Sequence, residues 1–307
     1  TVIQGFRNQK AEQLTATTVL QIATMAPTTP PAPTQVISPT LSASGLNPDP
    51  TQTPLPKPTL NPVDWESQPI IPEISRNVRE IYLKGIALGN HPNVFSKVGD
   101  CNSLPPYFLT YFDLDSSAYD LGSYAFLQPA VDQFSGSFNH KSLAVGDGFN
   151  TSSVLSSIFA DQNNCGSNES PLACEYRTQK PSFAIISIGT DDYVTPAIFE
   201  INMRKILVTT INMGIVPILI TKMDDANQLN DNLILTKLAG SYDIPLINLW
   251  RAMQPLPENG LQDKIHPTGI TDAFIFSPDN LTRYGWPVRN LTVLQALNTT
   301  WRAAAQP

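Results

Sequence analysis

Residues 94–103, Val-Phe-Ser-Lys-Val-Gly-Asp-Cys-Asn-Ser, begin as a short apolar strand and run directly into a Gly-Asp turn. The pattern places Cys101 just beyond the carboxyl end of that strand, which is where open α/β sheets bind their ligands. A second interpretation is that Gly99-Asp100 forms only a turn and that Cys101 is a small buried apolar residue. The segments on either side of this stretch decide between the two interpretations.

Apolar runs and helical patterns alternate along the chain after this stretch. The predicted strands are Val94–Val98, Ser142–Val145, Phe183–Ile188, Ile215–Thr221 and Pro245–Leu249. The predicted helices are Ser75–Leu88, Ser123–Phe134, Ser152–Phe159, Pro196–Gly214 and Leu229–Tyr242, and residues 105–122 form an aromatic-rich loop. Because the strands are continuously apolar and do not alternate, they predict a mainly parallel sheet that is buried on both faces. The expected fold is a three-layer α/β/α sandwich.

The first 68 residues differ in composition from the rest. Residues 1–26 contain an apolar stretch between Leu14 and Met25, which we interpret as an assembly or anchoring segment. Residues 27–68 are rich in Pro and Thr, a composition typical of an extended, polyproline-like linker. The sequence therefore predicts an extended N-terminal tail followed by one domain over residues 69–307.

The charge balance excludes several classes of partner. The 19 basic and 26 acidic residues give a net charge of −7, and no run of Lys or Arg is present. Nucleic acid and anionic membrane surfaces are poor partners for such a chain. No apolar run approaches the roughly 18 residues that a membrane span requires.

Cysteines and glycosylation motifs indicate a secreted or cell-surface protein. Cys165 and Cys174 flank a short loop rich in Gly, Asn and Ser, which predicts a local disulfide and leaves Cys101 as a free thiol. Five Asn-x-Ser/Thr motifs could carry glycans. They begin at Asn150, Asn168, Asn280, Asn290 and Asn298.

Four short motifs fall at the same edge of the predicted sheet. They are Gly99-Asp100-Cys101, Gly146-Asp147-Gly148, Gly189-Thr190-Asp191-Asp192 and Asp263-Lys264-Ile265-His266. In order and rough spacing, over about residues 69–274, they resemble the four blocks of the SGNH hydrolases, the GDSL-type esterases and lipases. That family has Gly-Asp-Ser, a glycine amide, Gly-x-Asn-Asp and Asp-x-x-His at these places.

The resemblance implies a role for each matching residue. Cys101 takes the place of the nucleophile, Gly148 or its neighbour Gly146 that of the glycine donor, and Asp191 that of the oxyanion asparagine. His266 corresponds to the base and Asp263 to its orienting acid. For that pair the chemistry also follows from the residues, since a carboxylate that bonds one ring nitrogen holds the histidine in a single tautomer.

Two departures from the family pattern bear on activity. Cysteine can replace serine, because a thiolate beside an imidazole is a competent nucleophile. Aspartate cannot simply replace asparagine, because a carboxylate at Asp191 repels a developing oxyanion unless it is protonated. We therefore expect impaired catalysis and no cofactor. A metal site formed by Asp100, Asp191, Asp192 and His266 is a weaker hypothesis, because the spacing fits no recognised ligand motif.

Three functions remain open at this point. The first is a structural subunit that self-assembles into a filament or sheath as a homo-oligomer through residues 1–68. The second is a secreted esterase or acyl transferase that uses Cys101, His266 and Asp263 on acylated glycans or lipid esters. The third is a carbohydrate-binding module with a groove lined by Tyr107, Tyr193 and Trp250.

Overall fold

The computed structural model describes residues 62–192, 194–223 and 229–305, with only the backbone for residues 229 and 230. The predicted assembly segment 1–26 and the linker up to residue 61 lie outside the described residues. So does Tyr193.

A four-stranded parallel sheet forms the centre of the domain. Its strands lie side by side in chain order. They are β1 (His91–Gly99), β2 (Pro181–Ser187), β3 (Val216–Ile220) and β4 (Leu246–Ile247). Strands β2, β3 and β4 are buried along their whole length, as the continuous apolar runs predict.

The predicted strand Ser142–Val145 is reduced to a single parallel bridge between Val145 and Gly99. The Gly99 amide donates to Ala144 O at 3.1 Å, and the Gly146 amide donates to Gly99 O at 3.3 Å. This bridge lies on the side of β1 that faces away from β2. The chain that follows β1 therefore pairs with one side of it, and the later strands extend from the other. In open α/β sheets such a switch point opens a crevice at the carboxyl end of the strand, here at Gly99-Asp100-Cys101.

Helices cover both faces of the sheet. Right-handed crossovers place the helices that connect successive parallel strands on one face, and the first and last long helices contact each other on the opposite face. The helices are α1 (Arg76–Ala87), α2 (Gln128–Gln133), α3 (Pro171–Gln179), α4 (Pro196–Asn212), α5 (Leu229–Tyr242), α6 (Leu249–Met253), α7 (Pro278–Arg283) and α8 (Gly285–Ala305). The predicted three-layer α/β/α sandwich is confirmed. No helix in the described ranges is long and apolar enough to span a bilayer.

Two predicted helices are wrong in detail. Residues 152–159 form two short 3-10 turns, Ser153–Leu155 and Ser157–Phe159, because the Asn150 side chain accepts the amides of residues 152 and 153 and holds a turn there. The predicted helix Ser123–Phe134 is a 3-10 segment, Gly122–Leu127, followed by α2. Pro129 lies in the first turn of α2, where a proline starts a helix more readily than it continues one.

The domain begins earlier than residue 69. Trp65 is 6% exposed, and its ring packs edge-on against Trp250 with centroids 5.0 Å apart. Asn248 Nδ2 donates to the carbonyls of Trp65 at 2.8 Å and Gln68 at 3.2 Å. Residues 62–68, which the composition assigns to the linker, are therefore a packed strap on the domain.

The aromatic-rich segment 105–122 belongs to the core. Phe108 and Phe112 are buried, and Asp120 exchanges backbone hydrogen bonds with Phe274 and Phe276. These bonds fix the chain segment that follows the predicted catalytic histidine. The C-terminal helices α7 and α8 pack on the same side of the domain. The sequence analysis did not predict them.

Candidate active site

Cys101 opens a 3-10 turn, Cys101–Ser103, directly after β1. The Asp100 side chain caps this turn by accepting the Asn102 amide at 3.1 Å. A side chain at Gly99 would lie 2.2 Å from Ser103 Oγ and 2.5 Å from Ser187 O, so only glycine permits this close approach. The turn leaves Cys101 half-buried as the free cysteine of the described residues.

Beneath Cys101 lies a buried ion pair. Asp100 is completely buried, and its Oδ2 lies 3.0 Å from Lys222 Nζ. The same oxygen accepts the Thr190 amide at 3.1 Å, while Lys222 Nζ also donates to Thr190 Oγ1. Burial opposes ionisation of Asp100, but the charge and hydrogen bond of Lys222 and the Thr190 amide outweigh it and lower the pKa. Asp100 is therefore a carboxylate.

The thiol of Cys101 is in an environment that disfavours a thiolate. Burial and then the charges of Asp100 and Asp191 raise its pKa to about 11, against the opposing charge of Lys222. At pH 7 such a thiol is ionised in roughly one molecule in 10⁴.

The structure distinguishes between the two glycines of the predicted oxyanion loop. Gly146 has its amide bonded to Gly99 O, so it has no hydrogen to offer a substrate. Gly148 is exposed with φ of 69°, in the left-handed region that glycine adopts without strain. No hydrogen bond to the Gly148 amide is formed among the described residues, so Gly148 fits the donor position.

The two adjacent aspartates have different surroundings. Asp192 accepts the Thr151 amide at 2.8 Å and the Thr151 hydroxyl at 2.6 Å, and it holds the 150–153 turn against the sheet edge. The charge of Asp191 contributes to the raised pKa of the Cys101 thiol. Burial and then the charge of Asp100 raise the pKa of Asp191. Where the SGNH pattern has a neutral asparagine donor, this chain has the carboxyl group of Asp191.

His266 and Asp263 form the predicted pair. His266 Nδ1 lies 2.7 Å from Asp263 Oδ2, and Asp263 Oδ1 accepts the His266 amide at 2.7 Å. This arrangement leaves Nε2 as the nitrogen for a substrate or nucleophile. Asn102 Nδ2 donates to Ile265 O at 3.3 Å, which ties the histidine loop to the Cys101 turn. Within the described ranges, however, no hydrogen bond joins the Cys101 thiol to the His266 ring.

Two cations that support the site were not identified from the sequence. Lys222 directly follows a long apolar run, and a charge at the end of a buried strand is a signal that could have identified it. Arg289 donates to Asn102 O at 3.2 Å and Ser187 Oγ at 3.0 Å, and its guanidinium lies 4.6 Å from the centroid of the Phe108 ring. It lies in α8, a helix without a sequence prediction, and no local motif marks it.

The metal hypothesis has no geometric support. Asp100, Asp191, Asp192 and His266 do not bring their ligand atoms together. In the described ranges, Cys165, Glu169 and Cys174 are the group of such side chains close enough to share an ion. Both of those cysteines are committed to a disulfide.

The residues expected to line a sugar groove are engaged elsewhere. Trp250 packs against Trp65 of the strap, and Tyr107 packs against Trp286 with ring centroids 5.8 Å apart. Tyr193 lies outside the described residues. The two described rings are therefore part of separate aromatic contacts.

The disulfide between Cys165 and Cys174 is confirmed, with Cα atoms 5.3 Å apart. Of the glycosylation candidates, Asn290 lies in the core of the domain. It is completely buried, and its Nδ2 donates to Tyr107 O and Ala273 O, both at 2.9 Å. A glycan there would have to displace this core contact.

Comparison with known proteins finds similarity in structure only. No protein-family model matches the chain, and no curated protein does. Among solved structures it is similar to the psychrotrophic esterase EstA from Pseudoalteromonas sp., at 12% identity over 67% of this chain and 97% of the esterase, with a TM-score of 0.41.

A GDSL-like lipase from Bacteroides thetaiotaomicron matches at 14% identity over 72% of this chain and 97% of its own, with a TM-score of 0.41. A putative acylhydrolase from Bacteroides fragilis matches at 14% identity over 75% of this chain and 100% of its own, also with a TM-score of 0.41. At this identity and TM-score the likeness assigns no function to the present chain.

Proposed function

We propose that this protein is an extracellular SGNH-like domain with impaired hydrolytic chemistry, which acts as a self-assembling structural subunit. The observation that supports the impairment best is the electrostatic effect of Asp191 on the Cys101 thiol. Both groups lie where the resemblance places the nucleophile and an oxyanion donor, and the charge of Asp191 raises the pKa of the Cys101 thiol.

Two features each lower the expected rate of hydrolysis, and their effects on the rate multiply. The scarcity of thiolate at neutral pH limits attack. A carboxyl group at Asp191 also removes an oxyanion donor, and the loss of one such donor costs about 10²–10³ in rate. The charge of the Asp100 carboxylate also raises the pKa of the thiol, against the opposing charge of Lys222. Together these features favour a structural role in assembly over a catalytic role.

The structural role is supported by the composition of the tail and by the way the chain enters the domain. The Pro/Thr-rich segment leads into the strap at residues 62–68, which Asn248 and Trp250 hold against α5 and α6. A force applied through the tail would therefore act on the packed strap at residues 62–68. The disulfide is compatible with an oxidising compartment.

The test pairs assembly with turnover on the same sample of the full chain. We expect polymers by electron microscopy and light scattering, together with p-nitrophenyl acetate hydrolysis that is no faster than for Cys101→Ala. Replacing Leu20 and Ile22 by serine in the full chain should reduce assembly without changing the thermal unfolding of the domain. Monomers at all concentrations would refute the structural role.

A second candidate is supported by one observation. The 2.7 Å bond between His266 Nδ1 and Asp263 Oδ2 positions an imidazole as in an acyl-transfer site. On this alternative the protein is a secreted esterase or acyl transferase of acylated glycans or lipid esters. Turnover of short acyl esters that is lost in both Cys101→Ala and His266→Ala would establish it over the first proposal.

A further inference from the structure

We propose that a groove beside the outer edge of β4 receives residues 14–25 of a second copy of this chain, which add to the sheet as an extended strand. The groove would be the contact through which the proposed self-assembly occurs, so this site rests on the proposed function. Three features support it: an unpaired position on β4, the shape of the groove, and the composition of the chain before the domain.

Strand β4 is the last strand of the sheet and pairs with β3 along one edge only. The Leu219 amide donates to Pro245 O at 2.9 Å, and the Thr221 amide donates to Ile247 O at 3.0 Å. Because successive residues of a strand direct their backbone groups to opposite edges, the amide and carbonyl of Leu246 point away from β3. No hydrogen bond to either group is formed within the described ranges.

The unpaired backbone groups belong to a buried residue. Leu246 is 5% exposed, and a buried amide or carbonyl without a partner costs about as much as a lost hydrogen bond. Further along the same edge, the Asn248 amide donates to Ile70 O at 3.1 Å. Pro69 and Pro72 flank Ile70, and a proline has no amide hydrogen to donate. The edge is therefore paired at Asn248 and open at Leu246.

A groove of about 230 Å³ lies beside Leu246. Its apolar walls come from Pro69 and Pro72 after the strap, from Ala239 of α5, and from Ile244 and Leu246. One turn of an α-helix with its side chains, about 10 Å wide and 5.4 Å long, fills more than this volume. An extended chain is narrower and can direct alternate side chains into such a groove while its backbone pairs with the strand edge.

Residues 14–25 have the composition of a chain that forms strands. They read Leu-Thr-Ala-Thr-Thr-Val-Leu-Gln-Ile-Ala-Thr-Met, with no charged residue, no proline and no glycine. Thr, Val and Ile, which favour strands, occupy six of the twelve positions. Such a segment offers the amide and the carbonyl that Leu246 requires, together with apolar side chains for the groove.

The linker favours the groove of a second copy over that of the same chain. Residues 26–61 separate the segment from the domain, and a Pro-rich chain is semi-rigid and spans about 3.1 Å per residue. These residues could therefore extend for roughly 110 Å, whereas a domain of this size has a radius of gyration of about 18 Å. Since Gln68, close to the start of the domain, itself lines the groove, the segment would have to double back to enter its own groove.

Charge also favours this contact. Residues 1–61 carry three basic and two acidic residues, so the net negative charge of the chain lies in the domain. At the groove, Glu73 and Asp243 contribute carboxyl groups, while Arg7 and Lys10 lie just before the segment. Opposite charges on the two surfaces promote their encounter.

The first experiment measures binding to the full-length Leu20→Ser/Ile22→Ser chain, whose own segment is altered. The probe is a fluorescent peptide of residues 11–28, and we expect saturable binding by fluorescence anisotropy. Adding Gly240→Arg should abolish binding without lowering the thermal midpoint, because Gly240 is exposed, lines the groove and lies in a helix, where arginine is favoured over glycine. Adding Ser241→Arg instead, one residue along α5 and outside the groove, should leave binding unchanged. No binding, or equal binding to the Gly240→Arg protein, would overturn the site.

The second experiment identifies the copy that supplies the segment. Full chains with Leu20→Cys and with Gly240→Cys, each in a Cys101→Ala background, are mixed under mild oxidation. We expect disulfide-linked dimers, and far fewer when Ser241→Cys replaces Gly240→Cys. Cross-linking only within a chain that contains both cysteines would overturn the assignment to a second copy.

The outcomes separate this site from the proposed function. Wild-type polymers that form equally well in the Gly240→Arg protein would overturn the groove as the assembly contact and leave the structural role standing. A wild-type chain that stays monomeric would refute the structural role. Peptide binding that Gly240→Arg abolishes would still sustain the groove in that case.

Discussion

Lys222 Nζ lies 3.0 Å from Asp100 Oδ2, and the two side chains are 2% and 0% exposed. Breaking such a pair leaves one charge buried without compensation, which typically costs about 3–5 kcal/mol. We expect Lys222→Met to lower the free energy of unfolding by about that amount in urea titrations. The double variant Asp100→Asn/Lys222→Met should lose less than Lys222→Met alone. Additive losses would show that the pair is not coupled.

The same pair predicts a pH dependence. The folded-state pKa of Asp100 is lowered below 3.8, because Lys222 and Thr190 outweigh burial. A carboxyl group of this kind contributes stability that is fully present above its unfolded-state pKa and is lost as the pH falls through the folded-state value. Wild-type stability should therefore fall at pH below about 4 more steeply than that of Asp100→Asn/Lys222→Met. Parallel curves for the two proteins would contradict this assignment.

Cys101 should alkylate slowly at neutral pH and faster as the pH rises. Because its pKa is about 11, the rate with iodoacetamide should rise about tenfold per pH unit between pH 7 and 10. Asp191→Asn removes a charge that raises this pKa, so it should increase the rate at pH 8. Asp147→Asn removes a smaller contribution and should have a smaller effect. A rate that levels off near pH 7 would contradict the raised pKa.

We expect turnover to increase when residues 101 and 191 are changed to those of the SGNH pattern. Asp191→Asn replaces a carboxyl group with a donor, and Cys101→Ser supplies the hydroxyl nucleophile of the SGNH pattern, for which His266 would act as the base. We expect Cys101→Ser/Asp191→Asn to hydrolyse p-nitrophenyl acetate about 10²-fold faster than wild type. Adding His266→Ala should abolish the gain. No gain in a correctly folded double variant would mean that the geometry, beyond these two residues, prevents catalysis.

Asn248 should control the strap at residues 62–68. It is 1% exposed and donates to the backbone carbonyls of Trp65 and Gln68 in the strap, so Asn248→Ala removes one donor from each of them. We expect a loss of about 1–3 kcal/mol and faster proteolysis between residues 55 and 70. Arg251→Lys, which retains a donor for Ser67 and Gln68, is the milder control. Unchanged proteolysis in Asn248→Ala would show that Trp65 and Arg251 hold the strap without Asn248.

The sequence by itself determined the class of fold and the order of the site segments. The runs at Phe183–Ile188 and Ile215–Thr221 contain too many apolar residues for a half-exposed strand, so in a chain that alternates strands and helices they predict buried parallel strands. The Cys165–Cys174 bridge and the Asp263–His266 pair were also predictable, because their partners are close in the chain. Local chemistry was sufficient in each of these cases.

Tertiary structure alone decided the contacts between residues that are far apart in the chain. The partner of Asp100 is 122 residues away, and Arg289 reaches Asn102 from 187 residues away. Neither has a local pattern, because an ion pair in a core depends on which strand ends meet there. The same holds for Asn290, whose motif looks like a surface site until its two carbonyl partners are brought together. The sequence specifies which polar and charged side chains are present. The tertiary fold determines which of them are buried together, away from water, and therefore bind each other.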